Sequence, residues 1–491
     1  MTGNNSTISR VAGVSTASFM KSVFKFSISS WINFFISVFS TIIITRIFNP
    51  DVYGVVSLFN SASTVMMSLV CLGLDSSFIR FYNEPPSGFN EKDLLSRCLG
   101  IPVIFTLIIA VFSTTFFYKE FSFFVFNRVS WLITVLLFIN TITLLILRYF
   151  NLCYRMSANA KLYTIQSVLT LFFSKCFVLA AALFEPKYET VITFNTIGVF
   201  VLAAVYFVIQ RKSVLPNKIK LSIKGLKEVV IFALYSWPSS FTLYLNAFIV
   251  QLIISKYLGN FQLGIYASTN FFTSVIVVLQ GGFGTYWAPF MYANYKTEQS
   301  KIKRVHNYTL LFVIAILSCF LLFQNIIYSL LGFKYHDSKP FFALVLLFPL
   351  ASVINETTAY GISIAKKNYY NLISTVLFVA SNLLLCFYLI PLFGIAGAAF
   401  ALAISALLQL LLSTYFGQKY YRSIDNPIKT VFTVAVLVFM ACANYRFSDN
   451  YLALLFCMIP PLIISAFVFG QEAKGCYMFC GQVLKSFFST V

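Results

Sequence analysis

Residues 44–61 read ITRIFNPDVYGVVSLFNS, and residues 253–269 read IISKYLGNFQLGIYAST. Sliding the chain by 210 residues lays one on the other. Thr45-Arg46 falls on Ser255-Lys256, Gly54 on Gly264, Asn60 on Asn270, and Ser63-Thr64 on Thr273-Ser274. Farther out, Tyr82 falls on Tyr292, and a shift of 205 puts Ala160-Lys161 on Ala365-Lys366. Polar classes recur at the same places without gaps, which is the signature of an internal repeat. An apolar run flanks the turn on each side in both copies, so the repeat is built from hydrophobic spans.

A helix needs about 20 apolar residues to cross roughly 30 Å of hydrocarbon. About fourteen such runs are legible, near 24–45, 53–74, 98–118, 129–149, 162–184, 190–210, 229–255, 262–286, 308–331, 341–364, 371–391, 395–416, 430–446 and 451–470. The expected fold is all-α and polytopic, with two pseudo-symmetric six-helix lobes and two added carboxyl-terminal helices. The expected layout is a tail over 1–21, an N-lobe over 22–210, a basic linker over 211–228, a C-lobe over 229–418, two further spans over 419–470, and a tail over 471–491. An even number of spans separates the matched segments. The halves therefore run parallel, which implies a pseudo-two-fold axis along the membrane normal and a cavity between two bundles.

Composition agrees. The chain of 491 residues is 59% hydrophobic and 10% charged, against about 25% charged in soluble domains. Its formal charge of +20, from 35 Lys and Arg, could suggest nucleic acid. A nucleic-acid reader, however, needs a basic patch on a soluble fold. Here most cations sit in every second loop, the positive-inside pattern. That pattern puts both termini in the cytoplasm. The exceptions, Arg46, Lys119, Arg128, Lys187, Lys256, Lys334, Lys339 and Arg446, fall at the opposite ends of spans. The polar first twenty residues carry no cleavage-site pattern, so the first apolar run is expected to remain an anchor.

Polar residues inside spans are the functional candidates. Asn60, Thr64, Ser68, Cys71 and Asp75 recur at steps of three or four and would form one helical stripe, whose start Asn270 and Ser274 repeat. Such a stripe lines a wet cavity or else joins helices through hydrogen bonds. Lys175, in LFFSKCFVLAAALF, is a mid-span ammonium that costs at least ~2.5 kcal/mol to insert. It needs a ligand anion or an acid partner. Glu356, in VINETTAYG, lies deep in a span and is either a coupling site for a proton or cation or the ion-pair partner of a lysine such as Lys175. Arg46 and Lys256 occupy equivalent outer ends, as anion ligands or as ordinary interfacial residues. His306 and His336 are the two histidines, and no pair of them suggests a metal. Cys476 and Cys480 have the spacing of a metal or redox site, but a reduced cytoplasmic tail is the favoured reading. GIAGAAFA at 394–401 offers small residues for close helix contact, and no phosphate-binding loop of the GxxxxGK[ST] kind is present. No catalytic constellation and no cofactor motif is visible, so a transporter is expected, not an enzyme.

The quoted stretches, together with WAPFM at 287–291 and IPLFGIAGAAFALAIS at 390–405, resemble the O-antigen flippases (Wzx type), the polysaccharide-biosynthesis branch of the multidrug/oligosaccharidyl-lipid/polysaccharide (MOP) exporter superfamily. The resemblance spans both halves. It implies twelve core helices in two lobes and a substrate of undecaprenyl-pyrophosphate-linked oligosaccharide, for O-antigen or capsule, moved across a bacterial inner membrane by alternating access. It further implies a cationic cavity for the headgroup, which Arg46, Lys175 and Lys256 could supply, and contact with membrane lipids and other polysaccharide assembly proteins. Two alternatives remain. A cation-coupled drug exporter of the MATE kind would favour acids in spans one and seven, which contain none. A membrane polymerase or glycosyltransferase would carry a sizeable outer loop, and none is present.

Overall fold

The computed structural model describes residues 16–86, 88–157, 159–214 and 223–472. Most of the expected tails, residues 215–222 of the basic linker, and Cys476 and Cys480 lie outside them. Among the described residues the chain is helical, and twelve segments are long and apolar enough to cross a membrane. One of these, Ser240–Asn294, is too long for a single crossing. Gly259, with φ 86° and ψ 170°, breaks the helix Ile223–Ser268 inside it. Another expected span is a helix of 17 residues, Phe342–Thr358, that continues after Ala359 as Tyr360–Ile364. Every span expected from the sequence therefore has a helix.

By internal packing the chain divides into two units. The first is residues 1–40 with 59–241, and the second is 41–58 with 242–491. The divisions fall inside helices, not in the linker. In the first unit, α1 (Thr16–Ile47) contributes its early turns and α2 (Pro50–Cys71) its later ones. These are followed by α3 (Leu74–Phe81), α4 (Glu91–Phe116), α5 (Tyr118–Phe126), α6 (Trp131–Met156), α7 (Ala160–Ala181) and α8 (Tyr188–Val214). The first turns of α9 (Ile223–Ser268) belong here because Val229 and Ala233 are buried in the same core as Leu74, Phe78, Leu94, Leu145 and Phe150.

The second unit holds the rest of α9, then α10 (Asn270–Asn294), α11 (Gln299–Leu330), a 3₁₀ turn Phe333–Ser338, α12 (Phe342–Thr358), α13 (Tyr360–Ile364), α14 (Tyr369–Phe393), α15 (Ile395–Tyr420), α16 (Pro427–Phe447) and α17 (Tyr451–Val468). Helix α12 is almost wholly buried. It packs against α15, whose Ala398, Ala399, Ala401 and Ala403 permit the close approach expected of that small-residue run. The two carboxyl-terminal helices share this core through Leu437, Met440, Leu454 and Met458. His306 ties α11 to α12 and α16: Nδ1 is 2.8 Å from Thr357 Oγ1 and Nε2 is 2.9 Å from Thr430 Oγ1.

The repeat appears as a contact within this second unit. A Cβ built on Gly54 would collide with the carbonyl oxygen of Asn260 and lie 2.8 Å from the nitrogen of Gly264. A Cβ built on Gly264 would collide with the carbonyl oxygen of Pro50. The repeat equates Pro50 with Asn260 and Gly54 with Gly264, so each copy touches the other through the same positions. That reciprocity is what a local two-fold produces. Small residues at such a crossing let membrane helices approach to backbone contact.

Candidate functional site

The second-span stripe is not continuous. Helix α2 stops at Cys71 because Leu72 and Gly73 take positive φ, 48° and 78°. Glycine is required at 73: a Cβ there would lie 2.5 Å from the carbonyl oxygen of Ala233. Asp75 then sits in the first turn of the separate helix α3, where a carboxylate favours the helix dipole. It is ion-paired with Arg148, whose Nε donates to Oδ2 at 2.8 Å. The regular spacing of the stripe does not register the left-handed turn. Upstream, Asn60 is exposed and Thr64 Oγ1 donates back to its carbonyl at 2.8 Å. Ser68 presents its carbonyl to Trp237 Nε1 at 2.8 Å. In the second unit Asn270 is exposed, and Ser274 donates to the Phe271 carbonyl at 2.7 Å.

Lys175 lies on α7, half-buried, and has neither a hydrogen bond nor an ion pair among the described residues. At about 100° per residue its helix face runs back through the apolar Leu171 and Val168 to Thr164. The adjoining face is occupied by hydrogen bonds: Asn33 Nδ2 to Ser167 Oγ at 2.8 Å and Ser174 Oγ to Asn195 Oδ1 at 2.7 Å. Three polar atoms on or against this helix, Thr164 Oγ1, Gln166 Oε1 and Asn33 Oδ1, are buried without a partner among the described residues. An unpaired ammonium on a helix with unfilled hydrogen-bonding capacity is an arrangement that a polar anionic ligand would complete.

Arg46 is differently employed. Its Nε donates to the Leu330 carbonyl at 2.8 Å and its Nη2 to the Ser329 carbonyl at 3.1 Å. It therefore caps the carboxyl end of α11, where a cation meets the negative dipole end. The adjoining turn is fastened as well, with Tyr335 Oη donating to the Phe48 carbonyl at 2.9 Å. Lys256, one turn before the break at Gly259, is exposed.

Glu356 projects from the last turn of α12. Gln280 Nε2 donates to its Oε1 at 3.2 Å, and Trp287 Nε1 donates to its backbone carbonyl at 2.8 Å. Like Lys175, it forms no ion pair among the described residues. It lines a cavity of about 280 Å³ in the second unit with Asn355, Asn371, Ser374, Gln409 and Ser413. Sequence reasoning singled out Glu356 and missed the rest. The available signal was polar spacing on one face: Asn371, Ser374 and Thr375 on α14, and Gln409 and Ser413 on α15. Among the described residues no group of three His, Cys, Asp or Glu could hold a metal.

Solved structures share this architecture. Superposition on the lipid II flippase MurJ, in an inward closed conformation, gives a TM-score of 0.69 over 91% of this chain and 99% of that one. The chain shares the fold of that structure. The MATE multidrug transporter DinF-BH aligns at TM-score 0.60 over 82% of this chain and 95% of its own. A multidrug resistance MATE family transporter of the MOP superfamily, facing inward, gives 0.56 over 79% and 94%. Identities are 15%, 13% and 13% respectively. No family model and no curated protein matches the sequence.

Proposed function

We propose that the protein is a flippase for undecaprenyl-pyrophosphate-linked oligosaccharide repeat units of O-antigen or capsule, moving the headgroup across a bacterial inner membrane by alternating access. The observation that carries this reading is the unpaired ammonium of Lys175 within a fold shared with a lipid II flippase. A pyrophosphate cannot enter hydrocarbon uncompensated, and an amine beside a polar helix face offers a charge-assisted hydrogen bond. Asn60, Thr64, Asn270 and Ser274 extend the polar lining in this reading. Lys256, exposed and equivalent to Arg46 by the repeat, remains a second candidate for the headgroup. Both termini lie in the cytoplasm in this reading, as the basic loops require.

The rival is a cation-coupled drug exporter, favoured by the carboxylate of Glu356 inside a polar cavity. Reconstitution in liposomes separates the two. The proposed flippase makes a lipid-linked oligosaccharide accessible from the opposite leaflet and leaves a cationic dye where it was. Dye movement driven by a sodium or proton gradient, with the lipid unmoved, would sink the proposal.

A further inference from the structure

The cavity beside Glu356 is too large and too neutral for an ion. Its volume of about 280 Å³ approaches the lower limit of ligand pockets, about 300 Å³. It is many times the ~30 Å³ share of one water. Its lining is dominated by amides and hydroxyls: Asn355, Asn371, Gln409, Ser374 and Ser413. These groups both donate and accept. An anion is opposed by Glu356. A dehydrated cation would need several convergent oxygens of fixed geometry, yet one carboxylate is present, and Gln280 holds one of its two oxygens at 3.2 Å. An apolar drug would leave the amides unsatisfied. What matches is a neutral ligand dense in hydroxyl groups.

Two further observations bear on this. Ser374, 1% exposed, lines the cavity, and its hydroxyl has no partner among the described residues. Two of its neighbours are committed to each other, with Ser413 Oγ donating to Asn355 Oδ1 at 2.6 Å. One buried hydroxyl is thus left open beside them. The cavity also has an aromatic wall: Tyr360 lines it and meets Tyr292 edge-on, with ring centroids 5.8 Å apart. Aromatic faces are where the C–H faces of pyranose rings stack, and Tyr360 is half-buried at the cavity wall. A smaller cavity of about 40 Å³ shares Asn355 and Gln409, extending the polar lining inward.

We propose that this cavity is a sugar subsite: it takes one neutral pyranose unit, with Glu356 Oε2, Ser374 Oγ and the amides of Asn371 and Gln409 reading hydroxyls and Tyr360 bearing the ring. It rests on the flippase reading for its biological ligand, the sugar end of a lipid-linked oligosaccharide. Its physical claim is separate, because a free sugar suffices to test it.

The test is equilibrium binding of tritiated galactose, mannose and N-acetylglucosamine to the purified full-length chain, with the liposome assay run on the same preparation. Saturable binding of at least one sugar is expected. Ser374→Ala and Asn371→Ala should each weaken it about tenfold, the loss of one hydrogen bond of about 1.4 kcal/mol, at an unchanged melting temperature. Both variants remove atoms without adding bulk, so the fold is retained. Absence of saturable binding by any of the three sugars overturns the subsite. So does binding that both variants leave intact, or a site filled by sodium in place of sugar. If the chain binds sugar and moves no lipid-linked oligosaccharide, the flippase reading falls and the subsite stands. If it moves the lipid, binds no sugar, and Ser374→Ala transports at the parental rate, the subsite falls alone.

Discussion

Gly54 and Gly264 touch across a local two-fold, each pressed against the carbonyl oxygen four residues before the other, Asn260 for Gly54 and Pro50 for Gly264. Each side leaves no room for a methyl group. Backbones at this separation also bring Cα–H donors onto carbonyl oxygens, a weak attraction that recurs at such crossings.

The first prediction concerns coupling at this contact. Gly54→Ala or Gly264→Ala must push the same two helices apart, at about 1–3 kcal/mol for overpacking. Once one methyl has separated them, the second meets less resistance. The double variant should therefore cost clearly less than the sum of the singles. Thermal unfolding of the four proteins in one detergent measures this. Strict additivity would mean that the two glycines do not share a contact.

A second prediction separates Arg46 from a headgroup ligand. Its guanidinium is committed to the carbonyls of Ser329 and Leu330. Arg46→Ala should lower stability by about 1–3 kcal/mol, the scale for charge-assisted hydrogen bonds. Arg46→Lys should restore part of it, because the charge at the helix end survives and the fork is lost. The check is melting temperature set beside transport rate at matched expression. A normal melting temperature with abolished transport would return Arg46 to the list of phosphate ligands.

The third prediction concerns acid. Glu472, just beyond α17, accepts from Lys429 Nζ at 2.7 Å and from Asn307 Nδ2 at 2.9 Å. Burial pushes its carboxyl up, and the bonds from Lys429, its own backbone and Asn307 more than offset this, so it sits below the ordinary value of 4.5. A carboxyl depressed in the folded state stabilises it above the unfolded value and ceases to do so as pH falls through the folded one. The melting temperature should thus be flat near neutrality and fall below about pH 4.5. Glu472→Gln should lower the neutral plateau and shrink that acid limb. An identical acid limb in Glu472→Gln would assign it to other groups.

The helices were legible because hydropathy and length are strong, local signals, and the repeat was legible because Gly54 and Gly264 cannot be replaced where backbones touch. What escaped was set by tertiary geometry. Nothing in the spacing from Asn60 to Asp75 announces that Leu72 and Gly73 turn left-handed, since non-glycine residues enter that region only when packing requires it. Arg46 read as a free cation because its partners are backbone carbonyls nearly three hundred residues away, which leave no trace in side-chain pattern. The cavity around Glu356 is assembled from isolated serines, asparagines and glutamines on separate helices. Each alone reads as ordinary interhelical glue, and only their convergence distinguishes them. The unit boundaries likewise follow contacts inside α1, α2 and α9, where composition does not change.

The last prediction concerns Lys175, and stability and transport should move in opposite directions. An ammonium that is half-buried and unpaired among the described residues has been removed from water without an ionic partner, a cost to the folded state. Lys175→Ala and Lys175→Met should therefore leave the melting temperature unchanged or raise it. A structural lysine would behave otherwise, because deleting one member of a pair strands the other. Transport should follow charge. Alanine should slow movement of a pyrophosphate-linked headgroup roughly 10- to 100-fold, the equivalent of about 1.5–3 kcal/mol for a charge-assisted hydrogen bond. Arginine should retain part of the rate because it keeps the charge and can grip phosphate through two nitrogens. Glutamate should fall below alanine, since it sets a like charge against the phosphates. Melting temperature and headgroup movement, measured together in reconstituted protein, decide the matter. If Lys175→Glu transports at the parental rate, the phosphate is held elsewhere. If Lys175→Ala unfolds, the lysine is a structural group whose partner lies beyond the described residues.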